Sequence, residues 1–371
     1  MDYYTLGNTG LKVSRLALGT MTFGDDWGWG ADEANARQLF DTYLDAGGNF
    51  IDTADLYTNG NSEHMLGRFV KDSSTRDRVV IATKFSYNAE PGNPNAGGNG
   101  RKNILRAVEG SLQRLGTDYI DLYMLHTWDQ VTPAVEVVRT LDDLVRSGKV
   151  RYVALSDVPA WYAAQAQTIA HERHLESIST LQLEYSLVER NIEFEYLPLA
   201  QALGTGIMAW SPLGSGLLSG KYRPSQAGAE GSGRLAAVAD SGNPAFNKFT
   251  PKNWAIVAEL ETVARELERS MAQVAVNWVA NRPSVASVLI GATKLHQLQD
   301  NLGALEFEIP TELQQRLDAV SQPDTHFPYT FFEPGIQGMI TGGVTVGDKP
   351  RQYHRPVLVA GNGAGVTASE A

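Results

Sequence analysis

Four residue types with proton chemistry stand at places where they could meet. Asp52 closes one short aliphatic run and Tyr57 follows it, Lys84 closes a second, and His126 closes a third, Asp121-Leu122-Tyr123-Met124-Leu125. In one site, an ammonium beside the Tyr57 hydroxyl would favour the phenolate and lower a pKa of about 10 in isolated peptides. Tyr57 then becomes a usable proton donor. Asp52 would neutralise and orient Lys84, while His126 could hydrogen-bond a carbonyl oxygen and set it against the Tyr. An acid of this kind suits carbonyl reduction, in which the proton goes to oxygen as hydride reaches carbon. No side chain supplies hydride, so a cofactor must.

These residues can converge only if the strands that carry them end at one rim. Short β-branched or aliphatic runs alternate with segments of helical period from about residue 16 to about residue 305,. The eight runs are Leu16–Gly19, Asn49–Asp52, Val79–Thr83, Ile120–Leu125, Arg151–Ser156, Ile178–Glu184, Gly206–Ser211 and Ala286–Ile290. Between them, sets such as Ile104, Leu105, Val108, Leu112 and Leu115 recur at three- and four-residue steps and place one apolar stripe on a helix,. Eight strand–helix units with right-handed crossovers predict an α/β fold, a closed (β/α)8 TIM barrel. Tyr3–Leu6, the turn Gly7-Asn8-Thr9-Gly10 and Leu11–Arg15 predict a β-hairpin that caps the barrel floor,. An open doubly wound sheet would normally carry G-x-G-x-x-G after its first strand, and Gly19-Thr20-Met21-Thr22-Phe23-Gly24 does not fit,.

In such a barrel all strands point their C-terminal ends at the same rim, so Asp52, Tyr57, Lys84 and His126 become neighbours. Three stretches break the rhythm: the polar loop 88–100, the Gly/Ser/Ala-rich connection 223–251 and the irregular tail 322–371. The domain reading is a barrel over 1–325 and a C-terminal extension over 326–371, lying partly over the mouth, with its last residues a flexible terminus.

Composition narrows the function classes. A chain of 371 residues with a net charge of −11 gives nucleic acid no general electrostatic reason to bind,. Cysteine is absent, which excludes disulfides, zinc ribbons and thiol nucleophiles,. Neither a basic-then-apolar leader nor an apolar run of the ~18 residues a membrane span needs is visible, so a reducing cytoplasm is the expected home. An oligomer stays open.

Asp52-Thr53-Ala54-Asp55-Leu56-Tyr57, Thr83-Lys84 and Leu125-His126 resemble the catalytic tetrad of the aldo-keto reductases. Gly148-Lys149-Val150-Arg151-Tyr152, Gln182-Leu183-Glu184-Tyr185-Ser186-Leu187 and Trp210-Ser211-Pro212-Leu213-Gly214-Ser215-Gly216 extend the resemblance, which runs from about Thr5 to about Asn301 and leans toward bacterial members and potassium-channel β subunits. It implies that Tyr57 is the general acid/base, that Lys84 and Asp52 tune it and that His126 orients the carbonyl. It also implies a nicotinamide cofactor, NADPH ahead of NADH, extended across the barrel mouth. Thr20 and Met21 would border it; Ser156, Asp157 and Gln182 would meet the carboxamide, and Trp210 would stack on the ring. Ser211, Pro212, Leu213, Gly214, Gly216 and Lys221 would line the pyrophosphate, and Arg234, Gly291, Thr293, Gln297 and Asn301 the adenosine end. Asp157 departs from the family, which commonly has Asn or Arg there; a carboxylate accepts but cannot donate. Arg234 and Lys294 favour a 2′-phosphate.

The implied activity is reduction of an aldehyde or ketone, or the reverse oxidation, on a small-molecule carbonyl or alcohol and without a metal. Trp27 and Trp128, in rim loops, are candidate walls of the substrate pocket, and such aromatics point to a bulky or sugar-like carbonyl. Phe327, Tyr329, Phe331 and Phe332 either wall the mouth or anchor the tail. His171 and His174 read as a solvated helix face with no third ligand, and Asp55 and Asp121 as structural. One alternative is a cofactor-bound regulatory subunit with little turnover. Another is Schiff-base chemistry on Lys84.

Overall fold

The chain alternates strands and helices through one closed barrel. The computed structural model describes residues 1–225, 228–231, 234–237 and 246–344. An antiparallel hairpin, β1 (Tyr3–Thr5) and β2 (Lys12–Ser14), precedes β3 (Leu16–Gly19), α1 (Glu33–Asp45), β4 (Phe50–Asp52), α2 (Asn61–Ser73), β5 (Val80–Phe85) and α3 (Arg101–Leu115). There follow β6 (Ile120–Leu125), α4 (Ala134–Arg146), β7 (Val150–Ser156), α5 (Ala160–Glu172), β8 (Ile178–Glu184), α6 (Ile192–Leu203) and β9 (Gly206–Trp210). A small hairpin, β10 (Arg223–Ser225) with β11 (Gly228–Glu230), and the short α7 (Arg234–Ala237) lie in the next connection. α8 (Pro251–Glu266), α9 (Met271–Ala280), β12 (Val285–Ile290), α10 (Leu295–Leu302), α11 (Thr311–Val320) and α12 (Pro334–Thr341) complete the described chain. Parallel pairing in the order β12-β3-β4-β5-β6-β7-β8-β9 closes the sheet on itself, a (β/α)8 TIM barrel.

Two apolar layers explain why these residues form it. The stripe Val137, Val138, Leu141 and Leu144 of α4 is buried, as are Ile104, Val108, Leu112 and Leu115 of α3, and both belong to the shell between helices and sheet. The barrel axis holds a separate cluster that includes Ala17, Phe50, Val80, Ala82, Leu122, Met124, Ala154 and Met208. Along β5, Val80 and Ala82 face the axis while Ile81 and Phe85 pack under the helices. Period-two alternation therefore directs Lys84 inward, one layer above Ala82. Asp52 follows Phe50 in the same way, His126 follows Met124, Ser156 follows Ala154 and Trp210 follows Met208. Strand parity alone lines the top layer of the axis with polar side chains.

The hairpin seals the floor. Leu6 and Val13 are fully buried in the axial cluster, and Asn8 N–H donates to the Gly204 carbonyl at 2.9 Å. Gly7 takes φ +57°, and a Cβ there would lie 2.3 Å from the Ser179 carbonyl oxygen, so only glycine lets the turn approach the strand starts this closely,.

Several expectations need adjusting. The strand expected over Val79–Thr83 continues through Phe85, because Lys84 and Phe85 still pair with Met124 and Leu125. The Gly/Ser/Ala-rich connection 223–251 contains, among its described residues, the β10–β11 hairpin and α7. The tail carries a 3₁₀ turn at Tyr329–Phe332 and then α12. Residues 345–371, including the expected flexible terminus, lie outside the described residues.

Candidate active site

Asp52, Tyr57, Lys84 and His126 meet at the C-terminal rim. Lys84 Nζ donates to Asp52 Oδ1 at 2.6 Å, to the Thr53 carbonyl at 2.8 Å and to the Tyr57 hydroxyl at 3.2 Å. All three donor directions of the ammonium are thereby used. Lys84 is fully buried, Asp52 is 1% exposed and Tyr57 8%. Burial works against the Lys84 charge, yet Asp52 and Tyr57 beside it hold its pKa above the ordinary lysine value. Burial likewise pushes the Asp52 carboxyl up, against the pull of Lys84 and the Gln182 amide.

Local backbone explains how Tyr57 reaches in. It begins a tight turn in which Thr58 and Asn59 take φ +45° and +57° before Gly60 opens α2. The Thr58 hydroxyl donates to the Phe23 carbonyl at 2.8 Å and accepts from Ser62 N–H at 3.0 Å, pinning the turn on both sides. His126 stands edge-on to Tyr57 with ring centroids 5.8 Å apart. Its pKa lies well below the usual histidine value, first through burial and then through the Lys84 charge. The imidazole is therefore neutral near pH 7. Among the described residues its Nδ1 is buried without a partner.

The other half of the rim is built from β7, β8 and β9. Ser156 pairs in register with Gln182, and Glu184 with Trp210. Among the described residues, Ser156 Oγ is buried with no close hydrogen-bond partner, although a weak hydrogen bond from it is among the influences that lower the Asp157 carboxyl. Gln182 Nε2 donates to Asp52 Oδ2 at 2.7 Å, so its amide nitrogen is committed to the carboxylate and completes the Lys84–Asp52 pair. Trp210 Nε1 donates to Asp157 Oδ1 at 3.1 Å. Asp157 sits at φ +44° and is open to solvent in the mouth. The protein packed around that concavity raises its carboxyl to about 7, with Glu184 adding to the rise and the Trp210 hydrogen bond opposing it.

Past β9 the chain makes the turn Ser211–Gly216. The N–H groups of Gly214 and Gly216 donate to the Ser211 and Leu213 carbonyls, and Ser215 N–H to Ser211 Oγ. The charge this turn offers an anion is Lys221: Gly216 takes φ +94°, and a Cβ there would lie 2.8 Å from Lys221 Nζ. Pro212 is buried behind it. Thr20 is fully buried and donates through both N–H and hydroxyl to the Asp52 carbonyl, so it supports the strand end, while Met21 beside it is half-buried. Gln297 Oε1 accepts from the N–H groups of Thr293 and Lys294, and the buried Asn301 reaches the Gly291 carbonyl at 3.5 Å. A Cβ on Gly291 would meet nothing within 4 Å, which leaves open space above it. Arg234 opens α7, and its side chain lies outside the described residues.

The two tryptophans expected in the pocket go separate ways. Trp27 packs on Trp29, with centroids 5.7 Å apart, and Trp128 packs on Trp161 and Tyr162 of α5. Tyr87, which sequence reading passed over, stands edge-on to His126 at 4.9 Å and is 43% exposed. Its only sequence signal is an aromatic residue three positions beyond the inward Lys84, in a rim loop.

Glu63 was also missed. It is fully buried, accepts from Thr83 Oγ1 at 2.6 Å and from Arg114 Nε at 2.6 Å, and so ties the helix that follows the Tyr57 turn to the strand of Lys84. Asp55 lies behind the same turn and Asp121 pairs with Arg76 at 2.8 Å. Removing the Glu63 charge with Glu63→Gln should cost about 1.5–3 kcal/mol, as for a hydrogen bond to a charged group. Urea unfolding checks this, and a midpoint equal to that of the wild type would deny Glu63 the role of a tie.

Residues 15–322 match the Aldo/keto reductase family. The chain belongs to the aldo-keto reductases. It is 38% identical to the uncharacterized oxidoreductase YrpG of Bacillus subtilis over 331 residues, which cover 86% of this chain and 96% of that protein. A probable voltage-gated potassium channel β subunit of Oryza sativa is 36% identical over 87% of this chain and 97% of its own. An aryl-alcohol dehydrogenase of Pestalotiopsis microspora is 32% identical over 90% of this chain and 84% of its own. This aldo-keto reductase is an NAD(P)H-dependent oxidoreductase that interconverts carbonyls and alcohols. Among the described residues, no group of three or more His, Asp or Glu could hold a metal ion, and no helix is long and apolar enough to cross a membrane.

Proposed function

We propose that the protein reduces an aromatic or similarly bulky aldehyde or ketone with NADPH, Tyr57 serving as general acid in reduction and general base in the reverse reaction. The observation that carries this reading is the buried chain Gln182–Asp52–Lys84–Tyr57, which ends at a phenol in the open mouth beside a neutral imidazole. Lys84 stabilises the phenolate left when Tyr57 gives up its proton, Asp52 holds Lys84 in place, and His126 Nε2 donates to the same carbonyl oxygen. When bound, the nicotinamide supplies hydride to the carbonyl carbon.

The residues present fit such a cofactor. Among the described residues, Ser156 Oγ is a buried polar atom without a close partner at the strand end opposite the tetrad, the Trp210 indole is held by Asp157 on the same half, and Gly216 leaves room for the ammonium of Lys221. Lys294, exposed next to Thr293, supports NADPH over NADH. Lys294→Ala should weaken NADPH roughly two- to fivefold and leave NADH unchanged, the range of one exposed ion pair. Equilibrium binding of both cofactors checks it, and equal weakening of the two would remove Lys294 from the 2′-phosphate.

Tyr87 on the rim and the aryl-alcohol dehydrogenase among the relatives support an aromatic substrate. The tail enters the same reading as a wall at one side of the mouth: Tyr329 donates to Glu195 at 2.7 Å and, with His326, packs on Phe194, in the first turn of α6. The potassium channel relative gives the regulatory alternative its footing, and the tetrad, complete in both residues and contacts, favours turnover. The test is consumption of NADPH against aromatic aldehydes, ketones, quinones and sugars. Tight cofactor binding with no turnover on any of them would favour the regulatory subunit.

A further inference from the structure

If the tetrad on β4, β5 and β6 holds the carbonyl oxygen, the hydride-donating ring must lie against the other half of the mouth, at the ends of β7, β8 and β9, because reacting atoms have to come within about 3–3.5 Å. On that half Asp157 is both exposed and held in place. Asp157 takes a left-handed φ of +44°, is exposed, and accepts from the Trp210 indole N–H at 3.1 Å through one of its oxygens. An aspartate at this position carries a charge that changes with pH.

We propose that Asp157 sets the preference of this protein between oxidised and reduced cofactor: its carboxylate favours the cationic nicotinamide ring of NADP⁺ over the neutral ring of NADPH. This rests on the cofactor reading above and adds to it a discrimination by redox state. The physical reason is Coulombic. The two cofactors share the adenosine, the pyrophosphate and the 2′-phosphate, and differ at the ring by one positive charge, which a nearby fixed anion in a low-dielectric mouth attracts.

The groups around Asp157 decide the direction of its pH dependence. Glu184 on β8 faces it and raises its pKa, while Lys84 on β5 lowers it. Lys248, 3.0 Å from Glu184 and 4.0 Å from Glu189, offsets part of that negative charge. Tyr87 after β5 and Tyr196 on α6 also feel the Asp157 charge, as phenols that stay neutral near pH 7, and His126 is neutral there as well. Asp157 itself lies at about 7, so its charge changes across neutrality. Below that pH the acid is neutral and the preference for NADP⁺ fades; above it the carboxylate is present and the preference is full.

The experiment is equilibrium binding of NADP⁺ and NADPH, with NAD⁺ and NADH in parallel, to wild type, Asp157→Asn and Asp157→Glu from about pH 6 to about pH 8. Titration of the shared 2′-phosphate cancels in the ratio of the two dissociation constants. In the wild type that ratio should move toward NADP⁺ by on the order of tenfold as pH rises, the size of one charge acting over several ångströms in an effective dielectric near 20. Asp157→Asn should hold the ratio flat, and Asp157→Glu should restore part of the drift. Binding of both cofactors with a pH-independent ratio in the wild type, or a drift that persists in Asp157→Asn, would overturn the assignment. Failure of every nicotinamide cofactor to bind the wild type would instead overturn the cofactor reading beneath it.

Discussion

Tyr57→Phe should lower turnover of every carbonyl the protein reduces by about 10²–10⁴-fold, the contribution of a positioned general acid. The substitution removes one oxygen and keeps the ring, which stands edge-on to His126 at 5.8 Å and has Lys84 Nζ 4.8 Å from its centroid. Cofactor affinity should therefore stay within about threefold, since lost proton transfer and unchanged binding appear in different constants. Steady-state rates with a reactive aldehyde, together with the dissociation constant of NADPH, separate the two. Turnover near that of the wild type would mean that another group or water delivers the proton. A parallel loss of cofactor binding would mean that the hydroxyl holds the mouth in shape.

Lys84→Met should produce the largest loss of stability, about 3–5 kcal/mol near neutral pH, as when one partner of a buried ion pair is removed. Lys84 is fully buried, and its loss would leave Asp52 with Gln182 as its remaining side-chain donor. The Thr53 carbonyl would lose its contact with the ammonium as well. The sign of the pH dependence follows from Asp52. A stranded buried carboxyl has a folded-state pKa raised above its unfolded value of about 3.9, so the folded variant binds the proton more tightly than the unfolded chain. Its penalty is small below the unfolded pKa and grows as pH rises toward the folded one. Urea unfolding of wild type and variant at about pH 5 and about pH 8 reads this directly. A penalty of equal size at both pH values would mean that Asp52 is not the charge left behind, and the loss would then be one of packing.

Much of the fold was legible because the signals are local. Apolar residues at three- and four-residue steps mark α3 and α4 whatever they pack against, and eight short aliphatic runs mark the strands within a residue or two. Period-two alternation also carried site information, since Phe50 and Asp52, or Met124 and His126, point the same way along any strand. The extension of β5 through Phe85 was not legible: Lys84 is polar, and only the parallel partners Met124 and Leu125 keep it in the sheet.

What the sequence by itself determined is the set of elements, the inward parity that lifts Asp52, Lys84 and His126 to one rim, and, through the order of its motifs, the family. Tertiary structure alone decided what those residues do to one another. Gln182 holds Asp52 across 130 positions of chain, Trp210 reaches Asp157 across 53 and Arg114 reaches Glu63 across 51. Periodicity carries no record of such pairings, because each depends on how the closed barrel sets one strand or helix against another. The turns at Thr58, Asp157 and Ser211 lie in the left-handed region, where side-chain direction follows from backbone torsion rather than from alternation,. Tyr87 meets His126, and Trp128 packs on Trp161 and Tyr162 of α5, for the same reason: past a strand end, the path of the loop decides what a ring packs against.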